Sequence, residues 1–204
     1  MPSLAQIREA LAGYAPARVS PDGLRQAAVA MVLREEPSGP EVLFIERAER
    51  EGDPWSGHMA FPGGRFDPTD SDLRHAAVRE TFEEVGLDLA GAEPLGRLDD
   101  LQGHRSTGVP SIMIAAFVYH LPETLSLALN HEVQDVLWFP LEGLHEAWRH
   151  VEHPWGEKVG RSMPGIEVGQ PGRHVVWGLT YRFLEVFFEV VGRPLPNRWG
   201  DLAS

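Results

Sequence analysis

Apolar residues in this chain recur at helical spacing near both ends and as short continuous runs between them. Leu4, Ile7, Leu11 and Tyr14 fall on one helical face, with Ser3 placed to cap, so a short amphipathic helix is predicted over 3–14, ending near Gly13. The runs Ala27 to Leu33 and Val42 to Ile45 are separated by Glu35-Glu36-Pro37-Ser38-Gly39-Pro40, which predicts two strands joined by a turn. Ile112 to Tyr119 and Val133 to Phe139 read as further strands, and Leu179 to Val191 as a strongly apolar, buried helix. From Arg50 to Gly64 the prolines and glycines are too dense for regular structure, and His150 to Arg173 reads as a long Gly- and Pro-rich loop. Strands and helices do not alternate regularly and no repeat is visible, so an α+β fold of the α/β/α sandwich kind is expected rather than a barrel. No linker divides the chain, which implies one domain over 1–204 with an extra helix at each end.

One segment joins regular structure to chemistry. In Ser71 to Gly86, Val78, Phe82 and Val85, with Thr81, recur at i, i+3, i+4 and i+7 and predict a buried stripe. Asp70 or Ser71 can cap this helix, and Gly86 suits a left-handed end with Leu87 folding back onto Phe82. Glu80, Glu83 and Glu84 cluster roughly opposite the stripe, in what reads as one small exposed patch. Like charges so spaced repel, and a divalent cation turns that repulsion into a site. The preceding Ala60-Phe61-Pro62-Gly63-Gly64-Arg65 adds consecutive glycines, whose backbone can approach a metal or a phosphate closely.

Composition narrows the function classes. With 43% hydrophobic and 24% charged residues, the chain has the make-up of a soluble globular protein. Eighteen Lys and Arg against 30 Asp and Glu give a formal charge of -12, which excludes an extended nucleic acid as partner but leaves a small phosphate-bearing molecule open. The absence of cysteine excludes thiolate catalysis and Cys-ligated zinc. Neither an apolar membrane-length run nor a basic, apolar leader is visible, so no membrane association and a cytoplasmic location are expected.

Gly64, Arg79-Glu80, Glu83-Glu84 and Gly86-Leu87 together resemble the Nudix box, in which a glycine is followed by Arg-Glu, Glu-Glu and then Gly with an apolar residue. The resemblance implies a mixed sheet between helices and hydrolysis of a diphosphate linkage in a small nucleotide-like substrate, with Mg²⁺ or Mn²⁺ as cofactor. It makes Glu80 and Glu84 the principal metal ligands, Glu83 a further ligand or base, Arg79 the group that orients the carboxylates, and the Gly64 carbonyl an additional ligand. The box departs from the general pattern in being one residue longer before Arg79, in carrying Asp70 or Ser71 where a glutamate is usual, and in having Thr81 at an apolar position.

The longer spacing, with Leu43-Phe-Ile-Glu-Arg47-Ala48 and Gly57 to Gly64, is similar to the branch of the family that hydrolyses coenzyme A, although the second arginine of that branch's signature is out of register. For an anionic substrate, Arg47, Arg50, Arg65 and Arg105 are the candidate cations and Gly63 and Gly64 the candidate backbone cradle. Trp55 and His58 are candidates for contact with a base. Asn130-His131-Glu132 resembles the place where relatives set another acidic residue, which makes Glu132 a second candidate base. ADP-ribose or another nucleoside diphosphate derivative is the alternative substrate, and a catalytically silent nucleotide-binding module the alternative role. The apolar Val186 to Val191 is a candidate homodimer surface, with core burial as the competing explanation.

Overall fold

The apolar runs lie at the centre of a mixed sheet because their side chains feed two layers at once. The computed structural model describes residues 1–50, 55–104, 109–123, 126–154 and 162–196. In chain order the elements are α1 (Leu4–Ala12), β1 (Arg25–Glu36), β2 (Gly39–Arg47), β3 (Met59–Ala60), β4 (Gly63–Arg65), α2 (Leu73–Val85), β5 (Glu93–Arg97), β6 (Leu101–His104), β7 (Pro110–Leu121), β8 (Val133–Pro140), β9 (His150–Pro154), β10 (Ser162–Glu167), β11 (Val175–Trp177) and α3 (Gly178–Val190). Ser3 caps α1 in a reciprocal capping box with Gln6. β1 and β2 form the expected antiparallel hairpin, while β1 runs parallel to β7. Among the described residues this sheet has eight strands along the path β3-β2-β1-β7-β5, with β4 added to β1, β6 to β7 and β8 to β2.

A sheet with a parallel centre needs cover on both faces, and alternation along β1 and β2 provides it. Met31, Leu33, Val42 and Phe44 point to one side, into a core shared with Leu4, Ile7 and Leu11 of α1 and with Tyr181, Phe183, Leu184, Phe187 and Phe188 of α3. Ala28, Ala30, Val32, Leu43 and Ile45 point to the other, against Ala76, Ala77 and Val85 of α2. The result is an α/β/α sandwich of mixed topology. The apolar face of α3 is taken up by the first core, where Tyr181, Phe183, Leu184, Phe187 and Phe188 are fully buried.

The segment expected to be a long loop is different. Its described parts form β9 and β10, which join β11 in a second, antiparallel sheet in the order β11-β10-β9, and Ile166 of β10, Val168 just after it and Val176 of β11 enter the first core. Pro164 and Gly165 look like loop punctuation, yet they sit inside β10, where a Cβ on Gly165 would press on Val175. Strand pairing overrides the local signal there. No described helix is long and apolar enough to cross a membrane.

Candidate functional site

β4 and α2 meet through glycines. Gly63 and Gly64 pair with Val29 and Ala28 of β1. Gly63 has φ 151°, and a Cβ there would strike the backbone of Ala28 and Val29, while a Cβ on Gly64 would strike the Glu80 carboxylate. The chain then turns through Asp67, whose carboxylate accepts from the Thr69 N–H and hydroxyl, and Asp72 caps α2 by accepting from His75 N at 2.8 Å. The cap is therefore Asp72, not Asp70 or Ser71, because Asp70 is turned inward. At the other end Gly86 takes the expected left-handed conformation, φ 68°.

α2 is rotated from the orientation that its apolar spacing predicts. Phe82 is 58% exposed, whereas Leu87 is buried in the core beneath α2. The buried face is Ala76, Ala77, Thr81, Glu84 and Val85; the Thr81 hydroxyl is satisfied by donating to the Ala77 carbonyl at 2.7 Å. Small alanines let the helix sit close to β1 and β4, and that approach carries Glu84 inward. The three glutamates thus do not share an exposed patch: Glu84 is 2% exposed, Glu80 is largely covered and Glu83 is open to solvent.

Glu84 Oε2 accepts from Gly63 N at 2.8 Å. Burial pushes its carboxyl up to about 7, against the opposing pull of that N–H and of the nearby Arg47, while Glu80 and Glu132 push it further up. Glu80 is also raised, by burial first, with Arg79 opposing. Arg79 fastens the cluster. Its Nε and Nη2 donate to the two oxygens of Asp70 at 2.9 Å each, its Nη1 donates to Glu80 at 3.0 Å and Glu83 at 3.1 Å, and Nη2 also reaches the Arg65 carbonyl. Asp70, fully buried at its side chain, accepts in addition from Asp67 N and faces His75 Nδ1 at 2.9 Å. Arg79 holds its carboxyl far below the usual carboxylate range. Sequence reasoning missed this anchoring role; the available signal was an acid where the box usually carries one.

The remaining predicted residues divide. Arg65, Arg79, Glu80 and Glu83 line an open, polar groove of about 460 Å³ with Phe66, Asp67 and Thr69. Arg47, at the end of β2, lies close enough to Glu84 to oppose its protonation. Glu132 is ion-paired with Arg50 at 2.8 Å, and Asn130 N, two residues before it, donates to the Glu84 carbonyl at 3.0 Å, so this loop is docked against the end of α2. His58 packs edge-on against Trp177 at 4.5 Å, whereas Trp55 is exposed. Arg105 lies outside the described residues.

The donor set fits a hard divalent cation. Glu80, Glu83, Glu84 and the Gly63-Gly64 backbone offer oxygens only, and Asp70 already takes up much of the charge of Arg79, so acidic charge is left over. The absence of a Cβ on Gly64 keeps backbone and the Glu80 carboxylate in contact.

Residues 24–159, that is 136 of 204, match the family model described as the NUDIX domain, and the chain belongs to the Nudix hydrolase family. It is 43% identical over 111 residues to an uncharacterised protein of Schizosaccharomyces pombe, covering 52% of this chain and 34% of that one. It is 32% identical over 155 residues to the human mitochondrial coenzyme A diphosphatase NUDT8, covering 76% of this chain and 64% of that one. The chain therefore spans less than two thirds of the length of these two relatives. A MutT/nudix family protein from Enterococcus faecalis shares the fold, with a TM-score of 0.56 at 17% identity over 94% of this chain and 70% of that one.

Proposed function

We propose that the protein hydrolyses the diphosphate linkage of coenzyme A, giving 3′,5′-ADP and 4′-phosphopantetheine. The observation that carries the reading is the joined set of Glu84 on the Gly63 N–H, Glu80 against Gly64, and Arg79 locked by Asp70 beside an open polar groove. The choice of substrate is supported by the segments Leu43 to Ala48 and Gly57 to Gly64 and by the likeness to a relative named as a coenzyme A diphosphatase.

In this reading Glu80 and Glu84 hold Mg²⁺ or Mn²⁺, with Glu83 and the Gly64 carbonyl as further ligands. A bound divalent cation supplies Lewis acidity, neutralising charge on the diphosphate and making water a better nucleophile. Arg79 keeps Glu80 and Glu83 from swinging apart, and its own position is fixed by Asp70. Glu83, exposed at the groove, takes a proton from the attacking water; a P–O bond forms at one phosphorus and its bond to the bridging oxygen breaks. Glu132 is the second candidate for that base, across the site and steadied by Arg50. Arg47 and Arg65 bind substrate phosphate, with the Gly63-Gly64 backbone beside them.

Incubating the protein with coenzyme A and, separately, with ADP-ribose, each with Mg²⁺, Mn²⁺ or chelator, and identifying the products tests this directly. Metal-dependent release of 3′,5′-ADP is expected. Preference for ADP-ribose, which the out-of-register arginine signature favours, would reassign the substrate, and no turnover of either would overturn the reading.

A further inference from the structure

Away from the Nudix box, β2 and β8 set Glu46 directly opposite Asp135. Like charges facing each other across a ladder repel. Glu46 is buried, and its carboxylate is met by Arg173, with Nε at 2.9 Å and Nη2 at 2.6 Å. One arginine leaves this acidic pair with a net negative charge. A third group points at the pair: His174, 3% exposed, whose Nε2 has no hydrogen-bond partner and lies 3.6 Å from Glu46 Oε2. One ligand atom from each of Glu46, Asp135 and His174 lies within 4.8 Å of the other two.

We propose that Glu46, Asp135 and His174 form a second metal site, of the zinc class, that clips the three-stranded sheet onto the central one. Two ligands about 2.0–2.2 Å from a tetrahedral zinc sit roughly 3.4 Å apart, close to the separation of Nε2 and Oε2. One imidazole and two carboxylates are a zinc-type set with a position left for water, and the imidazole disfavours Mg²⁺ and Ca²⁺. A carboxylate has lone pairs enough for both Arg173 and a metal. Ligation through Nε2 puts the ring proton on Nδ1, which now accepts from Gln170 N at 3.1 Å. Two donors cannot face each other at 3.1 Å, so zinc binding also requires the exposed Gln170 N–H to turn to solvent and leave room for a water to accept from Nδ1–H. His174 follows the turn after β10, whereas Glu46 and Asp135 belong to β2 and β8, so the metal ties the two sheets together. This inference stands apart from the reading of the Nudix box.

The test uses the full chain carrying Glu80→Gln, Glu83→Gln and Glu84→Gln, which removes the three box glutamates, stripped with chelator and titrated with zinc chloride by calorimetry. One equivalent is expected to bind and to raise the melting temperature, and ¹⁵N NMR is expected to show the His174 proton moving to Nδ1. Adding Asp135→Asn should weaken binding about tenfold or more. Arg173→Gln, by removing the competing cation, should strengthen it severalfold. No bound equivalent, or binding indifferent to Asp135→Asn, would overturn the proposal. Asp135 is only half-buried, so that variant decides the matter even where His174→Gln fails to fold.

Discussion

Glu84 concentrates the conflict between folding and function in one side chain. Its carboxyl is carried from 4.5 to about 7 by burial, so the folded protein binds its proton more tightly than the unfolded chain does. For an acid shifted upward, the metal-free fold is least penalised below the unfolded value near 4.5 and loses stability as pH rises through about 7. At pH 8 the full shift amounts to about 3 kcal/mol. Glu84→Gln keeps an acceptor for Gly63 N and removes the charge. In chelator it should therefore melt higher than the wild type at pH 8, with the gain vanishing towards pH 4.5, while turnover falls at least about a hundredfold at every pH. Calorimetric melting across pH, with and without Mg²⁺, checks this. A variant that melts lower than the wild type at pH 8 without metal would mean that burial is not what governs this carboxyl.

Between neighbouring glycines the same logic separates packing from chemistry. A Cβ on Gly63 meets the backbone of β1, which cannot yield, whereas a Cβ on Gly64 meets the end of the Glu80 side chain, which can swing away. Gly63→Ala should thus lower the melting temperature sharply. Gly64→Ala should melt nearly as the wild type does and lose roughly a hundredfold in kcat, because Glu80 is displaced. Much of the fold was legible in advance: the hairpin, the central strands, all three helices and the left-handed Gly86 follow from periodicity and punctuation, whereas the glutamates were singled out by the resemblance to the Nudix box and not by their spacing. The facing of α2 was not legible. Counting apolar residues puts Phe82 inside, but the helix is set by small Ala76 and Ala77 against the sheet and by the Gly63 N–H waiting for Glu84. A hydropathy stripe cannot register a buried carboxylate that has a backbone donor. The sheet of β9, β10 and β11 was hidden for a related reason, since its strands are short and their pairing is decided by partners distant in sequence.

Across the whole molecule the central sheet separates two jobs. One face, covered by α1 and α3, carries the larger aromatic and aliphatic core; the other holds α2 and, at its edge, the glutamates. α1 is tied to the first face by Leu4, Ile7 and Leu11, and the chain after it is fastened where the Tyr14 hydroxyl and Ala17 N donate to Asp99, at 2.6 and 2.7 Å. Its role is thus to complete a core and not to touch the site. Ile7 is fully buried, and Ile7→Ala should cost about 2–5 kcal/mol through lost burial and the cavity left behind. Because Ile7 belongs to the core on one face of the sheet and α2 packs in the core on the other, kcat measured well below the lowered melting temperature should stay at the wild-type value. Thermal melting paired with steady-state kinetics separates the outcomes. Equal losses in stability and kcat would show that the two faces are coupled through the sheet, and the site would then have to be treated as part of one cooperative core.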